Sequence, residues 1–493
     1  MKKSLFEQII LYNYRYLIGY SLLVLVSVYS LFWRLGSLLP GLSGYEGSYL
    51  STFDQSFNSV WSNPLYWPHK LLTQLSTNWL GSSELAYRLP TALLAAAGIL
   101  VFFFIIRHRF QGRVAMIGIL LLTTSSWWLA FARLARPEIL IPVLIFFAVL
   151  FARLVIENKN GGWLIALAAT IGVALYVPLL PYVIIIASII SYSLIKKTMM
   201  EMDRKWRLSF YAVLVLMCLP LIISFINEPS LARQWLSLPE AWPSLRHYLV
   251  DIKDSLASIF WASKAFPALN LGTLPYLDIF TVAMVVLGFY YLDHEVSRAL
   301  TQFLIFGFVG LLLIVNLSPL PGDSVVFIPF VYTLVSAGIV MLFSQWYEIF
   351  PRNPVARMVV FLPTLALLFG VVWYHHTRYF IATPSSPETV EVFPPLSSAL
   401  GQFYELNSAA GSTVVLVGGD EVNIADAVAR THDNSLVTTV GAAVVGQPAI
   451  AVTPAALAQV DADSLASLEK AGLTPLESSY ASTPIVLWYT TSD

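Results

Sequence analysis

The chain has 493 residues, of which 57% are hydrophobic and 12% charged, with a formal net charge of −1 and a mean hydropathy of +0.71. Soluble domains carry about 25% charged residues, so this chain cannot cover itself with a polar surface, and both a soluble enzyme and a disordered chain are excluded. The balanced charge argues against nucleic acid as a partner. The single cysteine, Cys218, has no second thiol for an internal disulfide or a thiolate metal cluster.

A membrane-crossing helix needs about 20 mainly apolar residues. Eleven windows qualify, at 16–37, 86–106, 114–131, 138–156, 163–177, 179–195, 208–226, 276–292, 299–316, 324–343 and 356–374. The first follows Lys2 and Lys3, and no small-residue cleavage site comes after it, which reads as an uncleaved anchor. The windows 163–177 and 179–195 also read as one broken hairpin around Pro178 and Pro181. Basic residues orient the set. With a cytoplasmic N-terminus, 16 of the 28 Lys and Arg fall in short inner segments, Arg107, Arg109, Lys159, Lys196 and Lys197 among them. The expectation is a polytopic α-helical protein of the cytoplasmic membrane with about 11 transmembrane helices, its N-terminus inside and its C-terminus outside. Long outer segments then fall at 38–85, 227–275 and 375–493.

The last segment differs in kind. From 380 onward there are 12 acidic residues against Arg430 and Lys470, a net of −10. Residues 412–419 and 484–490 read as strands by their β-branched content, and 421–431 and 462–471 as amphipathic helices, the second opened by Asp461 and Asp463. This predicts a transmembrane domain over 1–379 and a small extracytoplasmic α/β domain over 380–493, joined by the Pro/Ser-rich stretch 383–397.

Chemistry concentrates in the first outer loop and the helix start behind it. It reads Gly44-Tyr45-Glu46-Gly47-Ser48-Tyr49, then Asn63-Pro64-Leu65-Tyr66-Trp67-Pro68-His69-Lys70, then Ser83-Glu84-Leu85-Ala86-Tyr87-Arg88-Leu89-Pro90. A carboxylate here suits a general base on a hydroxyl acceptor. Lys70 suits a phosphate as a point charge, and aromatic faces suit a sugar ring. A second group follows at Phe131-Ala132-Arg133-Leu134-Ala135-Arg136-Pro137-Glu138, where Pro137 fits a first helical turn and Arg133 and Arg136 are three apart on one helical face.

The order of these pieces resembles the C-type superfamily of polyprenyl-phosphate-sugar-dependent glycosyltransferases, with family 39 protein O-mannosyltransferases and the aminoarabinose transferases of lipid A as its nearest members. Ser83 to Pro90 matches that family's Ser-Glu-x-x-x-Arg-Leu-Pro start of the second span. His69-Lys70-Leu71-Leu72 matches its His/Lys-Pro-Pro-Leu segment in part. Glu46 matches the second residue of its Asp-Glu pair, and Tyr45 stands where the aspartate would be. Arg133 to Glu138 fits its second carboxylate motif, and Asn270 to Asp278 its Asn-x-x-x-x-Pro-x-Leu-Asp lead-in to a later span. The resemblance covers about 10–345.

The resemblance implies transfer of a sugar from a polyprenyl-phosphate donor to a hydroxyl acceptor (protein, glycolipid or wall polymer) on the outer side of the membrane, with inversion at the anomeric carbon. Glu46 or Glu138 would be the base. Lys70, His69, Arg133 and Arg136 would hold the donor phosphate, and Tyr45, Tyr49 and Arg88 would form the substrate loop, Arg88 tying it down. No metal or other cofactor is expected, since lysine and arginine neutralise the leaving phosphate. Two other readings stand beside it. A lipid-linked sugar transporter would use the same basic cavity without a base, and a non-catalytic scaffold would keep only the fold. Asp54 reads as a solvated residue, Gly418-Gly419-Asp420-Glu421 as a strand-to-helix turn, and His375-His376 as a pair at the membrane edge.

Overall fold

The structure is a computed structural model, described over residues 15–52, 63–81, 83–110, 112–239, 241–262, 272–296, 298–317, 323–349, 354–407, 413–419, 421–430, 435–439, 449–457, 459, 473–475 and 487–490. Asp54, Asn270, Leu271, Asp420 and the expected helix 462–471 lie outside the described residues.

All eleven apolar windows fall on helix. Helix α1 (Arg15–Phe32) leads to two helices of the segment 38–85, α2 (Gly44–Leu50) and α3 (Trp67–Leu80), and then to α4 (Glu84–Arg109). The window 114–131 is divided into α5 (Gly112–Thr124) and α6 (Ser126–Ala132), because the Ser125 hydroxyl caps the second by accepting from Trp128 N. Next come α7 (Leu140–Asn158), α8 (Gly161–Ala174), α9 (Leu180–Ile190), α10 (Tyr192–Glu201) and α11 (Arg204–Asn227). The second outer segment carries α12 (Pro229–Trp235) and α13 (Leu245–Phe260), and α14 (Ile279–Tyr291), α15 (Arg298–Val315), α16 (Ile328–Ile349) and α17 (Pro354–His376) complete the helical part.

Four of the described helices are long and apolar enough to cross a membrane unaided: Glu84–Arg109, Pro137–Asn158, Arg204–Asn227 and Asp323–Trp346. The pair α9–α10, bent by 79°, adds a fifth when taken as one broken span. The other windows are shorter than expected where local chemistry interrupts them. Asn160 caps α8 by accepting from Gly162 N at 2.7 Å, and Leu179, between Pro178 and Pro181, takes a left-handed φ of 69° that separates α8 from α9.

The helical core runs through Trp127, Trp128, Phe131, Ile141, Phe146, Phe327 and Val331, all fully buried. Helices α14 and α16 come together through Gly288 and Gly338, where a methyl group would strike the backbone of Leu334 or Met284. Small residues allow such approach where lipid supplies no hydrophobic drive between helices. At one end of the bundle Arg153 pairs with Glu157 one turn on within α7 at 2.8 Å, and Lys159, just after α7, pairs with Glu201 at the end of α10 at 2.9 Å.

After α18 (Leu396–Leu406) the chain forms a five-stranded sheet in the order β2-β1-β3-β5-β4. The strands are β1 (Thr413–Val417), β2 (Ser435–Thr439), β3 (Ala449–Val452), β4 (Leu473–Pro475) and β5 (Leu487–Thr490), with α19 (Glu421–Ala429) between the first two. β1 is parallel to β2 and β3 (Thr413 opposite Ser435 and Ala449), and β5 is antiparallel to β3 and β4. Leu400, Phe403, Val415, Val417, Ile424 and Val428 form the core of this region. The expected strands 412–419 and 484–490 and the helix 421–431 are present; β2, β3 and β4 are additional.

Candidate active site

The segment between α1 and α4 builds the site from a short helix. Ser43 caps α2 in a capping box: its hydroxyl accepts from Glu46 N, while Glu46 accepts from Ser43 N at 2.9 Å. The Glu46 carboxylate also receives Arg88 Nε at 3.0 Å, Arg88 Nη2 at 3.2 Å, Ser43 Oγ at 3.1 Å and Ala135 N at 2.8 Å. Arg88 in turn donates to Gly41 O at 2.6 Å. Glu46 is fully buried. Burial pushes its carboxyl up, but the charge and hydrogen bonds of Arg88 with those of Ser43 and Ala135 outweigh it and hold it below the ordinary carboxylate value. Both oxygens of Glu46, one of the two carboxylates expected as a base, are thus occupied by hydrogen bonds in this geometry. Glu46 and Arg88 together pin the loop, α4 and the 133–136 turn to one another.

Glu138 is differently placed. It lies in a short 3-10 turn (Pro137–Ile139) that leads into α7, with Pro137 opening the turn as expected. Its Oε1 accepts from the Tyr45 hydroxyl in a short contact and from Arg136 Nη2 at 3.4 Å. Its Oε2 is buried without a hydrogen-bond partner, and so are Nε and Nη1 of Arg136. The Arg136 guanidinium lies 4.0 Å from the centre of the Tyr45 ring and 5.2 Å from that of Phe131. Both members of this buried ion pair thus keep hydrogen-bonding atoms that no protein group uses, capacity that water or a polar ligand could take up.

Three tyrosines surround this pair. The Tyr45 hydroxyl is pushed up by burial and by the Glu138 charge. Tyr49 and Tyr66 are raised in the same way, burial first and the charge of Glu138 next. All three stay neutral donors. Tyr66 begins α3 in a left-handed conformation with a φ of 58°, and Asp323, buried at the start of the 3-10 turn before α16, also acts on its hydroxyl.

The remaining expected residues separate into different tasks. Tyr49 OH lies 2.9 Å from His69 Nδ1, and His69 Nε2 lies 2.7 Å from Thr91 Oγ1. Burial pushes His69 down to about 3. The ring of His69, expected among the phosphate ligands, is neutral and has both nitrogens engaged, one of them with Tyr49. Lys70 is buried, donates to Asn63 O at 2.7 Å and is pushed down by burial to about 8, so it is still mainly charged at neutral pH. Arg133 is also corrected. Helix α6 stops at Ala132, so Arg133 and Arg136 do not share a helical face. Arg133 instead donates to Ser30 O at 2.7 Å and Trp33 O at 2.6 Å, satisfying carbonyls at the end of α1, and its guanidinium lies over the ring of Phe380.

Asp278 caps α14 by accepting from Thr281 N at 3.0 Å and lies 3.1 Å from His375 Nε2, whose Nδ1 is 3.0 Å from Ser126 Oγ. This network joins α6, α14 and α17 away from Glu138. His376 turns instead to Tyr29 OH at 3.1 Å, so the histidine pair does not converge. Among the described residues no group of three or more His, Cys, Asp or Glu comes together as a metal site. Sequence reasoning gave no role to Tyr66 or Asp323. The tyrosine in a Pro-Leu-Tyr-Trp-Pro run was a usable signal, but nothing in the sequence marked the aspartate.

The sequence model of a family described as dolichyl-phosphate-mannose-protein mannosyltransferase matches residues 66–225, which include His69, Lys70, Arg88 and the Arg133 to Glu138 turn. No curated protein matches the chain. Among solved structures, ArnT from Cupriavidus metallidurans bound to undecaprenyl phosphate superposes with a TM-score of 0.58 at 12% identity, over 97% of this chain and 98% of that one. The apo state of the same protein gives 0.56 at 13% identity with the same coverage. At such identity the likeness is one of fold, from the first helix through the C-terminal sheet.

Proposed function

We propose that this protein is a membrane glycosyltransferase that moves a sugar from a polyprenyl-phosphate donor to a hydroxyl acceptor. The reading rests on the family match over 66–225, on the fold shared with a protein solved with undecaprenyl phosphate, and on the buried pair Arg136 and Glu138 with unused hydrogen-bonding atoms. The last observation carries the mechanism. Glu138 Oε2 takes the proton of the acceptor hydroxyl as its oxygen attacks the anomeric carbon. The bond from that carbon to the phosphate oxygen breaks, and the electron pair stays with the phosphate. Arg136 and Lys70 hold the phosphate and stabilise the charge that develops on it. Direct displacement inverts the anomeric configuration. Tyr45 orients Glu138, and Glu46 serves as a structural brace.

The site and the acidic C-terminal region share one end of the bundle, while Arg107, Arg109, Lys159, Lys196 and Lys197 lie at or near the far ends of their helices. By the positive-inside rule the site faces outward, in the cytoplasmic membrane, with the N-terminus inside.

The test uses purified protein and polyprenyl-phosphate monosaccharides, counting the polyprenyl phosphate released when membrane-extracted acceptors are added. Glu138→Gln is expected to lower release by about a hundredfold or more, with donor still bound by native mass spectrometry. Wild-type release from Glu138→Gln would remove the base assignment. Donor moved across a vesicle bilayer without release would favour the transporter.

A further inference from the structure

The back of α2 is held by the C-terminal region. Gly47 is buried against Ile424 of α19, so closely that a Cβ at 47 would lie 2.9 Å from Ile424 Cγ1 and 3.1 Å from its Cα and backbone N. Beside it, Asn423 Nδ2 approaches Ser48 Oγ at 3.5 Å. Tyr87 OH donates to Ala427 O at 3.4 Å, and Ala427 completes a small apolar cluster with Leu42, Leu50, Tyr87 and Ala135. A second contact lies just upstream: Ser397 Oγ receives Leu42 N at 3.2 Å and donates to Glu84 Oε1 at 2.7 Å.

Helix α2 has only seven residues, too short to hold itself in place. Tyr45 and Tyr49 leave it toward Glu138 and His69, while Gly47 and Ser48 face α19. Movement of α2 away from α19 therefore carries the Tyr45 hydroxyl away from Glu138 Oε1. We infer that α19 is a positioning element of the active site, with Ile424 the residue that sets α2, and through it Tyr45, against Glu138. The inference rests on the transferase reading for its kinetic consequence but not for its structural one.

The experiment uses the full-length protein and the variants Ile424→Ala, Ile424→Val and Gly47→Ala. Each is followed by amide hydrogen exchange over residues 44–50 and by steady-state transfer from a polyprenyl-phosphate sugar. Ile424→Ala and Gly47→Ala are expected to speed exchange of 44–50 about tenfold or more and to lower kcat by about tenfold to a hundredfold, with donor KM within about twofold. Ile424→Val is expected to restore both. A disulfide between Ser48→Cys and Asn423→Cys in the Ile424→Ala background should also recover both, and reduction should remove the recovery; the only native cysteine is Cys218.

Unchanged exchange over 44–50 in Ile424→Ala overturns the inference. Faster exchange with unchanged kcat in an active enzyme overturns it equally, because α2 would then be held without consequence for the site. If the wild type transfers no sugar, the functional reading fails separately, and the exchange measurement still decides whether α19 holds α2.

Discussion

Tyr45 places its hydroxyl on Oε1 of Glu138, a residue 93 positions further along the chain, while Arg136 covers the Tyr45 ring at 4.0 Å. A tyrosine thus fills, with a neutral donor, a place where the related motif carries an aspartate. Glu138 is the carboxylate paired with Arg136. The arrangement leaves Glu138 Oε2 as the free acceptor and fixes the side chain by its other oxygen.

Loss of that hydroxyl removes one hydrogen bond to a charged group, worth about 1.5–3 kcal/mol. Tyr45→Phe is expected to lower kcat by about tenfold to a hundredfold and to leave donor KM nearly unchanged, measured by steady-state release of polyprenyl phosphate.

Glu46 and Glu138 should respond unequally to removal. Glu46→Ala strands Arg88 in the interior, a change that costs about 3–5 kcal/mol, and should markedly lower the unfolding midpoint in detergent. Glu138→Gln keeps the shape of the side chain and an acceptor for the Tyr45 hydroxyl and should lower that midpoint less, although it too removes the counter-charge of a buried arginine. Because the Glu46 carboxyl is held below its ordinary value, its stabilising contribution is complete above that value and is lost as pH falls through the folded-state pKa. Acid should therefore destabilise the wild type more than a Glu46→Gln variant.

Lys70 gives the site an alkaline limit. Burial lowers it to about 8, so its charge disappears as pH rises through that value, and donor KM is expected to rise above about pH 8. In Lys70→Met that limb should vanish, with KM raised at neutral pH by about tenfold. The stability effect has the reverse sign: the unfolded chain binds the proton more tightly, so between about 8 and the ordinary lysine value this group makes the fold more stable as pH rises.

The approach of α14 to α16 supplies a test of packing alone. Gly288→Val or Gly338→Val forces backbone atoms apart and is expected to cost about 1–3 kcal/mol or more, read as a lower unfolding midpoint. Gly370→Ala in α17, where a methyl meets no atom within 4 Å, should stay close to wild type.

The helical windows were legible because apolar length is a strong local signal, and each lies on a helix. Their interruptions were less legible. Ser125 looks like any polar residue within an apolar run, and only the fold shows its hydroxyl capping α6. The site was half readable. The motifs singled out Glu46, Arg88, Arg136 and Glu138, and the fold pairs Glu46 with Arg88 and Arg136 with Glu138, but their surroundings depend on partners distant in sequence. Glu46 is saturated by Arg88 and by the backbone of Ala135, 89 residues away, and spacing alone could not separate that brace from the less encumbered Glu138. Arg133 and Arg136 looked equivalent at three residues apart until α6 stopped at Ala132. The three additional strands β2, β3 and β4 have three to five residues each, and pairing with β1 or β5 defines them more than their own composition does.

The contact between Ser48 and Asn423 joins residues 375 positions apart. A ribosome adds about 5–20 residues per second, so Asn423 emerges roughly 20–75 s after Ser48. Throughout that interval α2 lacks the helix that grips it, even with much of the bundle already inserted. The support of α2 would therefore be completed late in synthesis, and a truncation before α19 would leave α2 without it.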